Sequence, residues 1–200
     1  MIDIYDTVII GSGISGLFTL KHLLEENVKN VIVLDKNPEP FGVWNINNHP
    51  SVYEKTHTVS SKLYMTITDF PFPDGTPEFP HHSIILKYYQ GYAKRFNLYP
   101  YIKQNINIIN VVKKNNIWIV NSEGGTYYSK NIVCATGTVN DCPNIPTEKY
   151  YNNFTGQIIH SDNYEKIQNF KNKNILIVGG SDTSSDLAME LKNNNNVTIS

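Results

Sequence analysis

Hydrophobic residues in this chain come first as two short unbroken runs with a helical period between them. Val8-Ile9-Ile10 and Val31-Ile32-Val33-Leu34 have no polar interruption, as strands buried on both faces of a parallel sheet require. Between them Leu17, Leu20, Leu23 and Leu24 recur at three and four residues, which predicts a helix over Leu17 to Glu26. The alternation breaks at Asn37-Pro38-Glu39-Pro40-Phe41-Gly42-Val43-Trp44, a turn-rich loop. A long polar and aromatic segment follows, with Asp69-Phe70-Pro71-Phe72-Pro73-Asp74-Gly75 as its stiffest part. Its prolines fix φ and restrict their predecessors, so an ordered loop is expected, with its aromatics either exposed along a site wall or buried as anchors.

Periodicity returns at Ser83, an expected N-cap, after which Ile85, Tyr88, Tyr89, Tyr92 and Phe96 form an aromatic stripe that reads as core. Three β-type runs follow, Ile106 to Val112, Ile117 to Val120 and Thr126 to Tyr128, joined by turn signals at Asn115-Asn116 and Gly124-Gly125. They predict an antiparallel meander with an apolar inner face. Ile132-Val133-Cys134-Ala135 reads as a separate buried strand returning to the parallel sheet, stopped by Thr136-Gly137. Asp141 to Pro146 and Asn152-Asn153 look like linker. From Lys173 a second unit begins: strand Ile175 to Val178, a turn over Gly179 to Asp186, helix Leu187 to Lys192, the solvated run Asn193 to Asn196, and a strand from Val197.

Chemistry enters at the turn between the first strand and helix. Gly11-Ser12-Gly13-Ile14-Ser15-Gly16 is a complete G-x-G-x-x-G. Glycines at the tight-turn and close-approach positions let the backbone reach a pyrophosphate, and the third lets the helix pack on the strand. The helix N-terminus then offers amides and a positive dipole end to the phosphates. Asp35 closes the second strand about 20 residues beyond Gly16, the place of an acid that binds an adenosine ribose. Strand, turn, helix, strand and acid in register define a Rossmann-type nucleotide site. The partly eroded copy at Gly179 points to a second nucleotide.

Composition narrows the partners. The 200 residues are 40% hydrophobic with a formal net charge of −1, which gives no basic field for nucleic acid. No apolar run approaches the roughly 18 residues of a membrane helix. The acidic start, Met1 to Asp6, carries no secretory pattern, and Cys134 and Cys142 set up no disulfide framework, so a cytoplasmic location is expected. No Cys or His pattern predicts a metal.

Four motifs together resemble the flavin-containing monooxygenases, enzymes that use FAD, NADPH and oxygen to oxygenate soft nucleophiles. They are Gly11 to Gly16 with Asp35, the Phe41-Gly42-Val43-Trp44 segment, Val133-Cys134-Ala135-Thr136-Gly137, and the stretch Phe154 to Tyr164. The last matches F-x-G-x-x-x-H-x-x-x-[Y/F] through Phe154, Gly156, His160 and Tyr164. The resemblance covers essentially the whole chain. It implies an α/β fold, a Rossmann-type FAD-binding domain with an antiparallel β-meander over residues 1–170 and the first β-α unit of an NADPH-binding domain over 171–200.

By the same resemblance, Gly11, Ser12, Gly13, Ile14 and Ser15 hold the FAD pyrophosphate, Asp35 the ribose, and Val43 with Trp44 lies close to the flavin. Thr58, Val59 and Ser60 occupy the segment over the flavin. Gly179, Thr183, Ser184, Ser185 and Asp186 match nucleotide-contacting positions of the second turn, and His160 has a conformational or NADPH-positioning role. Tyr164, where Baeyer–Villiger enzymes have Trp, favours heteroatom oxidation. The chain departs from the pattern in several places. Asp35 replaces a glutamate, Phe41 the first glycine of G-G-x-W, which is expected to alter the loop, and Ser181 and Ser184 two glycines of G-x-G-N-S-G. Val59 replaces an asparagine that steadies the oxygenated flavin, which predicts release of hydrogen peroxide.

The expected activity is monooxygenation of nucleophilic N or S in a small molecule, with molecular oxygen as co-substrate. The alternatives are an NADPH oxidase releasing hydrogen peroxide and a truncated flavin-binding protein without independent catalysis, completed by another chain. A disulfide reductase of similar fold needs a paired redox-active cysteine motif, which Cys134 and Cys142 do not supply.

Overall fold

A computed structural model describes residues 3–48, 52–137, 145, 151–164 and 170–200. Strand β1 (Ile4–Ile10) leads into helix α1 (Ile14–Glu25) and strand β2 (Val31–Leu34). A 3-10 turn (Gly42–Trp44), the short helix α2 (Lys62–Met65) and helix α3 (His82–Arg95) follow, and then strands β3 (Ile102–Lys103), β4 (Ile108–Lys114), β5 (Ile117–Ser122) and β6 (Gly125–Cys134). Strand β7 (Asn174–Ile177), helix α4 (Asp182–Leu191) and strand β8 (Asn196–Ile199) complete the described chain.

One six-stranded sheet runs in the order β3-β2-β1-β6-β5-β4. Its β3, β2, β1 and β6 are parallel neighbours, whereas β6-β5 and β5-β4 are antiparallel. The two runs read separately as Thr126–Tyr128 and Ile132–Ala135 are in fact a single strand. Ser129 pairs with Trp118 of β5 on one side and Tyr5 of β1 on the other, so the meander and the parallel sheet share β6. The polar break at Ser129-Lys130-Asn131 suggested two strands. It is accommodated because the Ser129 hydroxyl, fully buried, donates to the Asn131 carbonyl at 2.6 Å. The meander's apolar face is incomplete: Val120 is buried, but Ile109 and Val112 on the edge strand β4 are exposed.

Alternation along β1 and β2 divides the core. Ile9, Val31 and Val33 join Leu17 and Leu20 of α1 and Ile85, Tyr88, Tyr89 and Tyr92 of α3. Val8, Ile32 and Leu34 meet Val120 in a second cluster. The aromatic stripe is therefore core, as its period implied. Helix α3 begins one residue before Ser83, and its N-cap is His81, whose ring accepts from the Ser83 amide at 3.3 Å. Helix α1 likewise starts at Ile14, directly after the glycine turn. The linker expected over Asp141 to Pro146 lies outside the described residues except for Ile145, and Asn152-Asn153 lies in a turn.

The proline-rich loop is anchored through its phenylalanines. Phe72 stacks on Tyr88 with ring centroids 3.8 Å apart, Phe70 meets Tyr92 edge-on at 5.8 Å, and the Tyr88 hydroxyl donates to the Phe70 carbonyl. Lys21 on α1 is 5% exposed and pairs with Asp69 at the start of this loop and with Glu25. The Asp69 bond, then the Glu25 bond, raise the Lys21 ammonium, and the Lys21 bond holds the Asp69 carboxyl below the usual carboxylate range. A lowered carboxyl contributes stability that is full above its ordinary pKa and lost as the pH falls through its folded value, while the raised lysine loses its share only in strong alkali. Asp69→Asn is therefore expected to lower the melting temperature by a few degrees between pH 5 and 9. That difference should close below about pH 4, as thermal unfolding followed by circular dichroism across pH would record.

Candidate functional site

The three glycines after β1 are not equivalent. Gly11 has φ +105°, and a Cβ there would lie 2.2 Å from the Ala135 carbonyl oxygen at the end of β6. A Cβ on Gly16 would lie 2.0 Å from the Gly11 carbonyl oxygen. Both are demanded by the packing of strand, strand and helix. Gly13 is extended (φ −65°, ψ 177°) as N-cap of α1, and among the described residues a Cβ on it would meet nothing nearer than the Gly42 Cα at 3.9 Å. The protein leaves this side open, beside the N-terminus of a helix with no acid in its first turn and no capping side chain. That is the surface a phosphate requires.

The 3-10 turn forms the second lip of this cradle. The Phe41 amide donates to the Ser12 carbonyl at 3.0 Å, and Gly42 lies so close that a Cβ on it would be 3.1 Å from the Gly13 Cα. Phe41 and Gly42 both have positive φ, +84° and +54°. Phe41 thus holds a left-handed conformation that favours glycine, at a cost of about 1–3 kcal/mol. Its ring is 3% exposed and meets Tyr99 edge-on, and burying a phenylalanine is worth roughly 1.5–3 kcal/mol, which offsets the strain. Behind the lip, buried Asn45 donates to Glu39 Oε2 at 2.7 Å and fastens the loop to itself.

Asp35 stands at the end of β2, 7% exposed. The Ser12 amide and hydroxyl both donate to its Oδ2, at 2.6 and 2.7 Å, and the Asn37 amide donates to Oδ1 at 2.9 Å. A carboxylate has about four acceptor sites, so one remains on Oδ1 for a ribose hydroxyl. Asp35 also locks the first turn in place through Ser12.

A cleft of about 270 Å³ opens between the two units. Trp44, Thr58, Val59 and Ser60 line it from the first, and Asp182, Thr183 and Asp186 from the second. The sequence singled out all of these but Asp182. Thr58 is fixed by its amide to the Pro80 carbonyl at 2.9 Å and its hydroxyl to the Ser60 carbonyl at 2.8 Å, which leaves Val59 standing out at 64% exposure. Val43, Gly179, Ser184 and Ser185 do not line the cleft. Ser184 is buried, its hydroxyl donating to the Ser181 carbonyl at 2.6 Å.

Phe154, Gly156, His160 and Tyr164 also lie away from the cleft. The Phe154 ring folds over Gly156, where a Cβ would come within 2.3 Å of it. His160 Nδ1 accepts from the Asp162 amide at 3.2 Å and caps a 3-10 turn over Ser161–Asn163. Tyr164 is buried edge-on against Tyr53 and stacked over Phe170, in a cluster with Leu187 and Leu191 of α4. Tyr53 and Lys55 thus tie the first unit to α4, Lys55 through Glu190 at 3.4 Å.

Sequence reasoning missed His57, Met65 and Tyr53 in the cleft wall, because nothing local marks a residue that a long loop carries there. His57 Nδ1 is 2.9 Å from the Lys55 carbonyl. Partial burial and then the Asp182 carboxylate push the Asp186 carboxyl up, with Glu190 adding and His57 opposing. Among the described residues no group of His, Cys, Asp and Glu forms a metal site, and no helix is long and apolar enough to cross a membrane.

A glycine-rich turn on a parallel sheet that shares a strand with an antiparallel meander defines the fold of flavin-binding oxidoreductases. The comparisons place the chain within that class. Residues 6–200 match the flavin-binding monooxygenase-like family, and the chain belongs to it. It is 32% identical over 200 residues to human flavin-containing monooxygenase 3, covering 92% of this chain and 37% of that protein. Guinea pig flavin-containing monooxygenase 5 is 31% identical with the same coverage. The chain therefore spans about 37% of the length of these curated relatives. The solved structure of Tmm from Pelagibacter superposes with TM-score 0.81 at 25% identity, over 96% of this chain and 50% of that one. Cyclohexanone monooxygenase from Rhodococcus, solved with NADP+ bound, shares the fold at TM-score 0.72 and 23% identity, over 100% of this chain and 38% of that one.

The different reasons for the two glycines can be separated. Gly13→Ala is expected to fold with an unchanged melting temperature and to weaken FAD binding about tenfold or more. Gly11→Ala should fail to fold or lose several kcal/mol, from a steric clash and a left-handed alanine together. Far-UV circular dichroism and FAD fluorescence titration of the two variants check both outcomes.

Proposed function

We propose that this chain is the flavin-binding part of an FAD- and NADPH-dependent monooxygenase acting on nucleophilic nitrogen or sulfur of small molecules. The observation that carries it is the open face of Gly13. Gly11 and Gly16 lack side chains because the protein fills their space, whereas among the described residues no atom closes the space at Gly13 nearer than the Gly42 Cα. The cradle between Gly13 and Gly42, the acid-free start of α1 and the remaining acceptor site of Asp35 fit the diphosphate and ribose of FAD. When bound, FAD supplies hydride acceptance and oxygen activation. The chain's own residues bind and orient it.

The division of labour follows from the geometry. Amides at the start of α1 and the positive end of its dipole face the diphosphate. Asp35 holds Ser12, and with it the turn, and the acceptor site left on its Oδ1 would take a ribose hydroxyl. Trp44 and Thr58 to Ser60 form one wall of the cleft and the start of α4 the other, which suits it to admit a small molecule or oxygen. NADP+ in the Rhodococcus structure supports a dinucleotide as the second ligand, and the second glycine-containing turn at Gly179 with the start of α4 is the place we assign it.

A second reading, oxidation of NADPH with release of hydrogen peroxide, is favoured by Val59. Its isopropyl group stands 64% exposed on the cleft and offers no hydrogen bond where the family pattern has an amide. One experiment addresses both readings: purify the full chain with FAD, record its visible absorbance, and follow NADPH and oxygen consumption with peroxide and a thioether product quantified. A yellow protein that oxygenates the thioether supports the first reading. Peroxide in place of product supports the second, and Val59→Asn is then expected to shift at least a few-fold more of the consumed NADPH into product. A colourless protein that takes up no FAD rejects both.

A further inference from the structure

The chain builds the same strand-turn-helix twice, so its two turns can be compared directly. In the first, the N-cap of α1 is Gly13 and the first helical turn contains no acid. In the second, the N-cap of α4 is Ser181 and the first turn begins with Asp182. Asp186 lies one turn further along the same helix, and both carboxylates line the cleft. The Ser181 carbonyl already takes the Ser184 amide at 3.0 Å, the Ser184 hydroxyl at 2.6 Å and the Ser185 amide at 3.2 Å. The Ser184 hydroxyl, one of the two that stand in glycine positions, therefore turns into the helix and adds no donor toward a ligand.

A negative charge in the first turn of a helix complements its dipole. The positive end that α1 keeps for a phosphate is, in α4, neutralised by the chain's own carboxylate. We infer that Asp182 sets the affinity of the second turn, repelling the NADPH diphosphate and keeping dinucleotide binding weak without touching the flavin cradle. The inference rests on reading the start of α4 as the dinucleotide's place. The motif G-x-G-N-S-G has a neutral amide of the same shape at this position.

Among the described residues the surroundings do not compensate. The Asp186 carboxyl is pushed up by partial burial and by Asp182, with Glu190 adding, so negative charge is already crowded on this face. Lys55, the cation that reaches α4, is engaged with Glu190 at 3.4 Å, and the basic-residue count in the first and last turns of α4 is nil. His57 alone among the neighbours acting on Asp186 works in the opposite sense.

The test is a titration of the full chain with NADPH, followed by nicotinamide fluorescence, with and without FAD. Wild type is compared with Asp182→Asn, Asp182→Glu and the remote exposed control Asp74→Asn. Asp182→Asn is expected to bind NADPH about tenfold or more tightly than wild type, because the repelling charge is gone while shape is kept. Asp182→Glu and Asp74→Asn should stay within about threefold of wild type, FAD affinity should not move in any variant, and Asp182→Asn should lose at most a few degrees of melting temperature with its favourable helix-dipole charge. Equal NADPH affinity in wild type and Asp182→Asn, whether tight, weak or undetectable, overturns the inference, as does the same gain in Asp74→Asn. Failure of the chain to take up FAD overturns the flavin reading by itself, since the flavin-free titration still reports on Asp182.

Discussion

The structure depends on a place where backbones meet with no side chain between them. Just beyond β1 the chain lies against Ala135, the residue after β6, and against the first turn of α1, and room for a Cβ exists at neither Gly11 nor Gly16. Steric exclusion of this kind is harder than any attraction in the fold, since a carbon 2.0–2.2 Å from a carbonyl oxygen must displace backbone. It fixes where α1 begins, how closely β6 approaches β1, and hence which way the free amides of the helix face. The parallel core, the shared strand β6 and the nucleotide cradle all follow from that contact.

Weaker interactions then refine the cradle. Ser12 is held by Asp35, and the Phe41 amide grips Ser12 from the other side, so the glycine turn is clamped between the end of β2 and the 3-10 turn. A left-handed Phe41 is tolerated because its ring is buried in the main core. The strain of the lip is balanced by that packing in the core, while Gly42 lies against Gly13. The cradle is thereby shaped before any ligand arrives, and preorganised contacts of this sort bind without the cost of ordering a loop.

Across the cleft the second unit repeats the plan with different charges. Tyr53 and Lys55 reach from the long loop of the first unit to Tyr164 and α4, so that Val59 and Asp186 come to line one space although far apart in the chain. The two substitutions most relevant to chemistry, an apolar Val59 and an anionic Asp182, face the same cleft. One is apolar and offers the cleft no hydrogen bond, and the other brings a carboxylate to it.

Much of this was legible in the sequence wherever the information was local. The β1-α1-β2 unit, the aromatic face of α3 and the identity of the first turn follow from periodicity and from glycine spacing, because strand and helix pack with fixed periods and only glycine fits a site without room for Cβ. Asp35 was legible by its distance from that turn. The continuity of β6 was not, since Ser129 is fully buried in a strand only because its hydroxyl finds a carbonyl that folding brings near. Nor was the N-cap His81, or the cleft wall of Tyr53, His57 and Met65, which a loop without periodicity delivers to α4. The sequence alone determined which backbone positions forbid a side chain. Only the tertiary structure decided that Gly13 is the one left open, because that depends on which atoms from distant segments fill the space beside each glycine.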